Sequence, residues 1–122
     1  MLTNPSTAAG LGSAPPRFNT TPMMMEMQVV NRATGVMLRA FALGDTAEII
    51  IGRDANCDVQ INAPSVSREH CVVEHVDNDC RLRDLNSTGG TWVDGDRITE
   101  VRIEDGMEVT VGPALLRFVD GS

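Results

Sequence analysis

Lysine and tyrosine are both missing from this 122-residue chain, and each absence closes off chemistry. Without lysine there is no Walker-type phosphate loop, no Schiff base and no lysine general base. All ten basic residues are arginine. The three cysteines, Cys57, Cys71 and Cys80, form no C-x-x-C pair. With His70 and His75 they follow no zinc-ligand spacing, so neither a metal site nor a cofactor is expected. An odd cysteine count without an export signal points to a reducing cytoplasm. No apolar run approaches the ~20 residues a membrane span needs. The first residues lack the basic-then-hydrophobic order of a secretory leader, and the run Met23 to Met25 is short and preceded by Pro22. A convincing helical stripe of ten residues is likewise absent.

What is present is acidic. Residues 26–122 carry all 17 acidic side chains against nine arginines, a net charge of −8. Such a surface repels a polyphosphate backbone, so nucleic acid is not an expected partner. Any anion bound here must be met by a local cluster. Residues 1–24 are rich in Pro, Gly, Ser, Thr and Ala without apolar periodicity, and read as a flexible tail or linker. Residues 25–120 read as one domain of short β-branched runs punctuated by turn residues. Cys71 and Val73 alternate with Val72 and Glu74, and Cys80 and Leu82 with Arg81 and Arg83. Asp94-Gly95 between two such runs signals a type I′ hairpin. Period two, short strands and regular turns predict an all-β, antiparallel two-sheet sandwich. In that architecture the strands are the frame and the end loops carry function.

Three loops stand out. Gly52-Arg53 closes the run Ile49-Ile50-Ile51, where glycine permits a sharp turn and the arginine fork suits a phosphate or carboxylate. Taken alone, the pair reads better as a surface arginine paired with Asp54 or Asp58. Ser65-Val66-Ser67-Arg68-Glu69-His70 offers a hydroxyl and a charge. Ser67 and His70 would suggest a hydrolase, but the G-x-S-x-G elbow is absent and so close a pair lacks triad geometry. His70 reads as a buried residue that pins the neighbouring loop. The third loop runs from Asp84 to Thr91, where Asp84, Asn86, Ser87 and Thr88 can bond their own backbone. Gly89 and Gly90 permit positive φ there. It is either simply a well-made turn or a place where Thr88 and free N–H groups meet an anion.

The order Gly-Arg, then S-x-x-H, then Asp84 to Thr91, then an Asp-Gly hairpin resembles the forkhead-associated (FHA) domain family over residues 27–119. The family resemblance implies a β-sandwich whose end loops bind phosphothreonine in extended segments of partner proteins. It implies phosphate contacts from Arg53, Ser67, Arg68 and Thr88, with peptide contacts from Ser65 and the position of Gly89. Gly52, His70, Asn86 and Ser87 would hold the site in shape. No catalytic residue is implied; the alternative is a phosphate-independent assembly scaffold on the same fold. The family's usual S-T-N-G-T turn has Gly89 in place of its asparagine, removing a grip on the peptide backbone and loosening the loop. Met107 replaces the aspartate of a closing Gly-Asp pair. A further partner is a second copy: Thr20 or Thr21, if phosphorylated, would dock into another molecule's groove, the other reading being an inert linker.

Overall fold

In the computed structural model the described residues are 25–43, 48–76 and 79–120. The tail expected over residues 1–24, with Thr20 and Thr21, lies outside them. The described residues contain eleven strands and no helix. They are β1 (Met25–Asn31), β2 (Met37–Ala42), β3 (Glu48–Gly52), β4 (Val59–Gln60), β5 (Cys71–Val76) and β6 (Asp79–Asp84). After these come β7 (Trp92–Val93), β8 (Asp96–Arg97), β9 (Glu100–Arg102), β10 (Glu108–Val111) and β11 (Ala114–Asp120).

Two sheets form, one ordered β2-β1-β11-β10-β7-β8 and the other β4-β3-β5-β6-β9. Alternation explains why they stack. Met27, Val29, Val109, Val111, Leu116 and Phe118 point inward from the first sheet. Ile49, Ile51, Cys71, Val73, Cys80 and Leu82 meet them from the second. Burying each large side chain stabilises the fold by about 1.5–3 kcal/mol before entropy is counted. Cys71 and Cys80 are therefore small core residues; burial pushes their thiols up to about 12 and about 11.

The outer face of the second sheet departs from a simple wet surface. Val72 faces outward yet is buried, because its cross-strand neighbours Ile50 and Arg83 flank it on that face. Arg83, which stands across from Val72 on β6, bonds Glu74 at 3.1 Å and so keeps its charge paired on this face. Arg102 likewise meets Asp79 at 3.2 Å. Exposed pairs of this kind contribute about 0.2–1 kcal/mol each.

Two details differ from the sequence expectation. The antiparallel expectation gives way at one edge, where the two-residue β4 pairs parallel with β3 (Ile51 with Val59, Gly52 with Gln60). A short connection suffices because only two residues of each strand overlap. Glu100–Arg102 forms β9 against β6, a three-residue strand too short and too charged to show a period. The Asp94-Gly95 turn matches its expectation, with φ of 52° and 83°. These are the signs type I′ requires.

Candidate functional site

Strand register brings the three loops together. Ile51 pairs with Cys71 and Cys71 with Asp84, so β3 ends, β5 begins and β6 ends at the same edge of the sandwich. The loops that leave these points are the three singled out in the sequence.

The first two are joined main chain to main chain. The Arg53 N–H donates to the Ser67 carbonyl at 2.9 Å, and the Asp54 N–H to the Arg68 carbonyl at 3.1 Å. Gly52 sits at the join. A Cβ there would lie 2.1 Å from the Arg68 carbonyl oxygen, so any side chain would force the loops apart. Cys57 closes the underside, its thiol donating to the same carbonyl at 3.1 Å, and burial raises its pKa.

Arg53 is not held by its acidic neighbours. Asp54 accepts from the Asn56 N–H and Asp58 from the Ile50 N–H, so both carboxylates serve the local backbone. Arg53 instead donates Nε to the Val66 carbonyl at 2.9 Å, and this fixes the guanidinium while its terminal nitrogens have no partner among the described residues. Ser67 Oγ accepts the Thr88 N–H at 3.1 Å, tying the second loop to the third and leaving its own proton free to donate. The side chains of Arg68 and Thr88 are exposed, and neither makes a hydrogen bond or ion pair among the described residues. Thus Arg53, Ser67 and Thr88 come together, with Arg68 next to Ser67.

His70 is fully buried between the loops. Its Nδ1 accepts the Ser67 N–H at 3.1 Å, and its Nε2 lies 2.8 Å from the Gly90 carbonyl. A neutral ring protonated on Nε2 satisfies both contacts. With both nitrogens committed to backbone, His70 cannot serve Ser67 Oγ as a general base, and the hydrolase geometry is not formed. His70→Ala would leave a donor and an acceptor unpaired. Unfolding melts should show a loss of about 2 kcal/mol, within the range for stranded buried polar groups.

The third loop hangs on Asp84. Its carboxylate accepts the Ser87 hydroxyl, the Ser87 N–H at 3.0 Å and the Thr91 hydroxyl at 2.7 Å. Burial alone would raise the Asp84 pKa. The Ser87 and Thr91 bonds outweigh it, and the net shift is downward. A carboxyl with a lowered folded-state pKa contributes stability above its unfolded value, about 3.9. That contribution is lost as pH falls through the folded-state value. The expected result is acid unfolding below about pH 4 that flattens in Asp84→Asn, read by a pH series of melts.

Some expected roles change. Asn86 supports the turn through its backbone, at φ 60°, and its exposed side chain bonds nothing among the described residues. Gly89 does not slacken the loop. Its carbonyl accepts the Trp92 indole N–H at 2.9 Å, and a Cβ there would lie 2.9 Å from the Ser65 carbonyl oxygen. The loop leans on Ser65, and glycine is what permits that approach. Trp92 and Arg97, which donates to the Ser87 carbonyl at 2.7 Å, were not singled out in the sequence. Both reach back from the β7–β8 hairpin, and no local pattern signals such a contact.

The arginines are sorted by place. Those on β6, β9 and β11 meet carboxylates: Arg81, Arg83, Arg102 and Arg117. Arg53 and Arg68, at the loop end, have no acidic partner among the described residues.

Fold and loops together define a β-sandwich domain that gathers Arg53, Ser67, Arg68 and Thr88 on neighbouring loops at one end. The FHA domain family model matches residues 49–112, and the chain belongs to that family. It is 35% identical to mouse proliferation marker protein Ki-67 over 74 residues, 60% of this chain and 2% of that protein. A solved FHA domain described by phosphothreonine-dependent interactions superposes with a TM-score of 0.66 at 26% identity, covering 78% of this chain and 94% of that one. Mycobacterium tuberculosis EmbR in complex with a low-affinity phosphopeptide gives 0.66 and 26%, covering 78% of this chain and 24% of that one. The chain thus spans a small part of the length of Ki-67 and of EmbR.

Proposed function

We propose that the protein is a non-enzymatic module that binds phosphothreonine-containing segments of partner proteins. The observation that carries this reading is the joining of the Arg53, Ser67 and Thr88 loops, with the terminal nitrogens of Arg53 and the hydroxyl protons of Ser67 and Thr88 donated to no other group among the described residues. Arg53 and Ser67 would hydrogen-bond the phosphate, Thr88 would donate its hydroxyl, and Arg68 would add charge. Gly52, His70, Ser87 and the backbone of Asn86 would hold the loops, and Ser65 and Gly89 would line the path of the peptide.

The energetics favour it. A phosphate brings about −1.5 to −2 charges and three acceptors. Hydrogen bonds to a charged group contribute roughly 1.5–3 kcal/mol each. The acidic background acts weakly at the cleft, because charges beyond about 8–10 Å are largely screened. Three free cysteines among the described residues fit a reducing compartment, and we place the protein in the cytoplasm.

A phosphothreonine peptide library and its unphosphorylated twin, titrated side by side, test the proposal. Binding confined to the phosphorylated set is expected. One observation favours the scaffold alternative: Val36, Met37 and Leu38, at the start of the β2 edge strand, are 56%, 54% and 59% exposed. Equal binding of both libraries would leave that reading in place of ours.

A further inference from the structure

A groove of about 540 Å³ adjoins the proposed phosphate cleft. That volume falls within the ~300–1,000 Å³ of ligand sites. Ser65 and Gly89 form one side of it, and Arg32, Trp92, Gly112 and Pro113 also line it. Gly89 directly follows Thr88 and Ser65 stands two residues before Ser67, so the groove lies beside the loops of the proposed phosphate site.

Its construction depends on two turns of the other sheet. Gly112, at φ 54°, has no room for a side chain: a Cβ would lie 2.8 Å from Ser65 Oγ and 2.7 Å from Val66 Cγ2. The Arg32 N–H donates to the Pro113 carbonyl at 3.0 Å, which holds the β1–β2 turn against the β10–β11 turn. Asn31 Oδ1 accepts the N–H groups of Ala33 and Thr34, so the turn that carries Arg32 is braced.

The charge of the groove is what identifies its occupant. The guanidinium of Arg32 is exposed and has no hydrogen bond, ion pair or ring contact among the described residues. In a domain with net charge −8 over residues 26–122, an arginine without a carboxylate is a free electrostatic site. Arg32 shares this condition with Arg53 and Arg68, and all three stand at the same end of the sandwich.

Resting on the function proposed above, we propose that the groove takes a second anionic side chain of the same bound segment, held by Arg32. The preferred ligand class is therefore a phosphothreonine peptide with one further negative charge at a fixed distance, supplied by a carboxylate or by a second phosphate. Acidic residues elsewhere in the peptide face the negative bulk of the domain and are disfavoured.

The experiment walks glutamate, and in a parallel arm phosphoserine, through the four positions on each side of a phosphothreonine in an otherwise neutral peptide. One position should enhance binding by about fivefold, the upper end for a single solvent-accessible charge pair. The phosphoserine arm shows whether a second phosphate is taken in preference to a carboxylate. In Arg32→Gln the ratio of acidic to neutral peptide at that position should fall to about one. In Arg32→Glu a lysine preference should emerge at the same position, a gain that an unfolded protein cannot give. A flat walk, or a preference that survives both substitutions, overturns the inference while phosphothreonine discrimination stands. Loss of discrimination between phosphorylated and plain peptides in the unaltered protein overturns both proposals, and so separates the two failures.

Discussion

Arg53→Ala should abolish most of the difference in affinity between a phosphothreonine peptide and its unphosphorylated twin, a loss of at least about 2 kcal/mol, or roughly thirtyfold. The size follows from how the side chain is held. Its Nε is anchored on the Val66 carbonyl, so the guanidinium is oriented before any ligand arrives. Its planar end matches two phosphate oxygens. Arg53→Lys keeps the charge but forfeits both the anchor and the fork, and should recover only part of the loss. Isothermal titration with one phosphopeptide and its plain twin checks all three proteins. Undiminished discrimination in Arg53→Ala would mean that the anion is bound elsewhere.

Gly52→Val is expected to damage the fold as well as the site. The first added carbon would already stand 2.1 Å from the Arg68 carbonyl oxygen and 3.0 Å from Cys57 Sγ. Because the nearest atom is main chain, no rotamer change relieves the clash; the Arg68 segment must move as a whole. Overpacking in a rigid environment costs about 1–3 kcal/mol, and the branched side chain at a main-chain contact places this case near or above 3 kcal/mol. Displacing Arg68 also breaks the Asp54 and Ser67 bonds that join the loops. Denaturant titration should show the stability loss, and phosphopeptide binding should fall even under conditions where the variant is folded. A variant as stable as the parent would mean that the two loops are not locked at this point.

The frame was readable because burial writes itself into period two. Ile49 and Ile51, Cys71 and Val73, Cys80 and Leu82 alternate with residues of the other face, and the structure buries each of those six. The three loops were readable because glycine, serine, arginine and histidine cluster there. What stayed hidden were contacts between residues far apart along the chain. Nothing near Val72 foretells that it is buried on the outer face, and nothing near Gly89 foretells that it rests on Ser65. The substitution of glycine for asparagine at position 89 reads in sequence as a loss. In three dimensions it is the residue that lets the third loop close on the second. Arg97 was passed over for the same reason, since Ser87 lies ten residues back across the β7–β8 turn, whereas Trp92 meets Gly89 only three residues away and no turn pattern marks that contact. The short, parallel β4 was likewise set by tertiary pairing with β3 rather than by a local pattern.

The hydrogen bonds that knit the Arg53 and Ser67 segments run between peptide groups, and Asp84, His70 and Gly52 secure the loops from beneath. The side chains of Arg68, Thr88 and Ser65 face outward and make none of those bonds, although the backbone of Arg68 and Thr88 does. On the proposed function, selection can therefore exchange those side chains, and with them the preferred partner, while folding stays nearly untouched. If phosphothreonine binding is borne out, the same separation makes the domain a convenient starting point for engineered readers of other modified peptides.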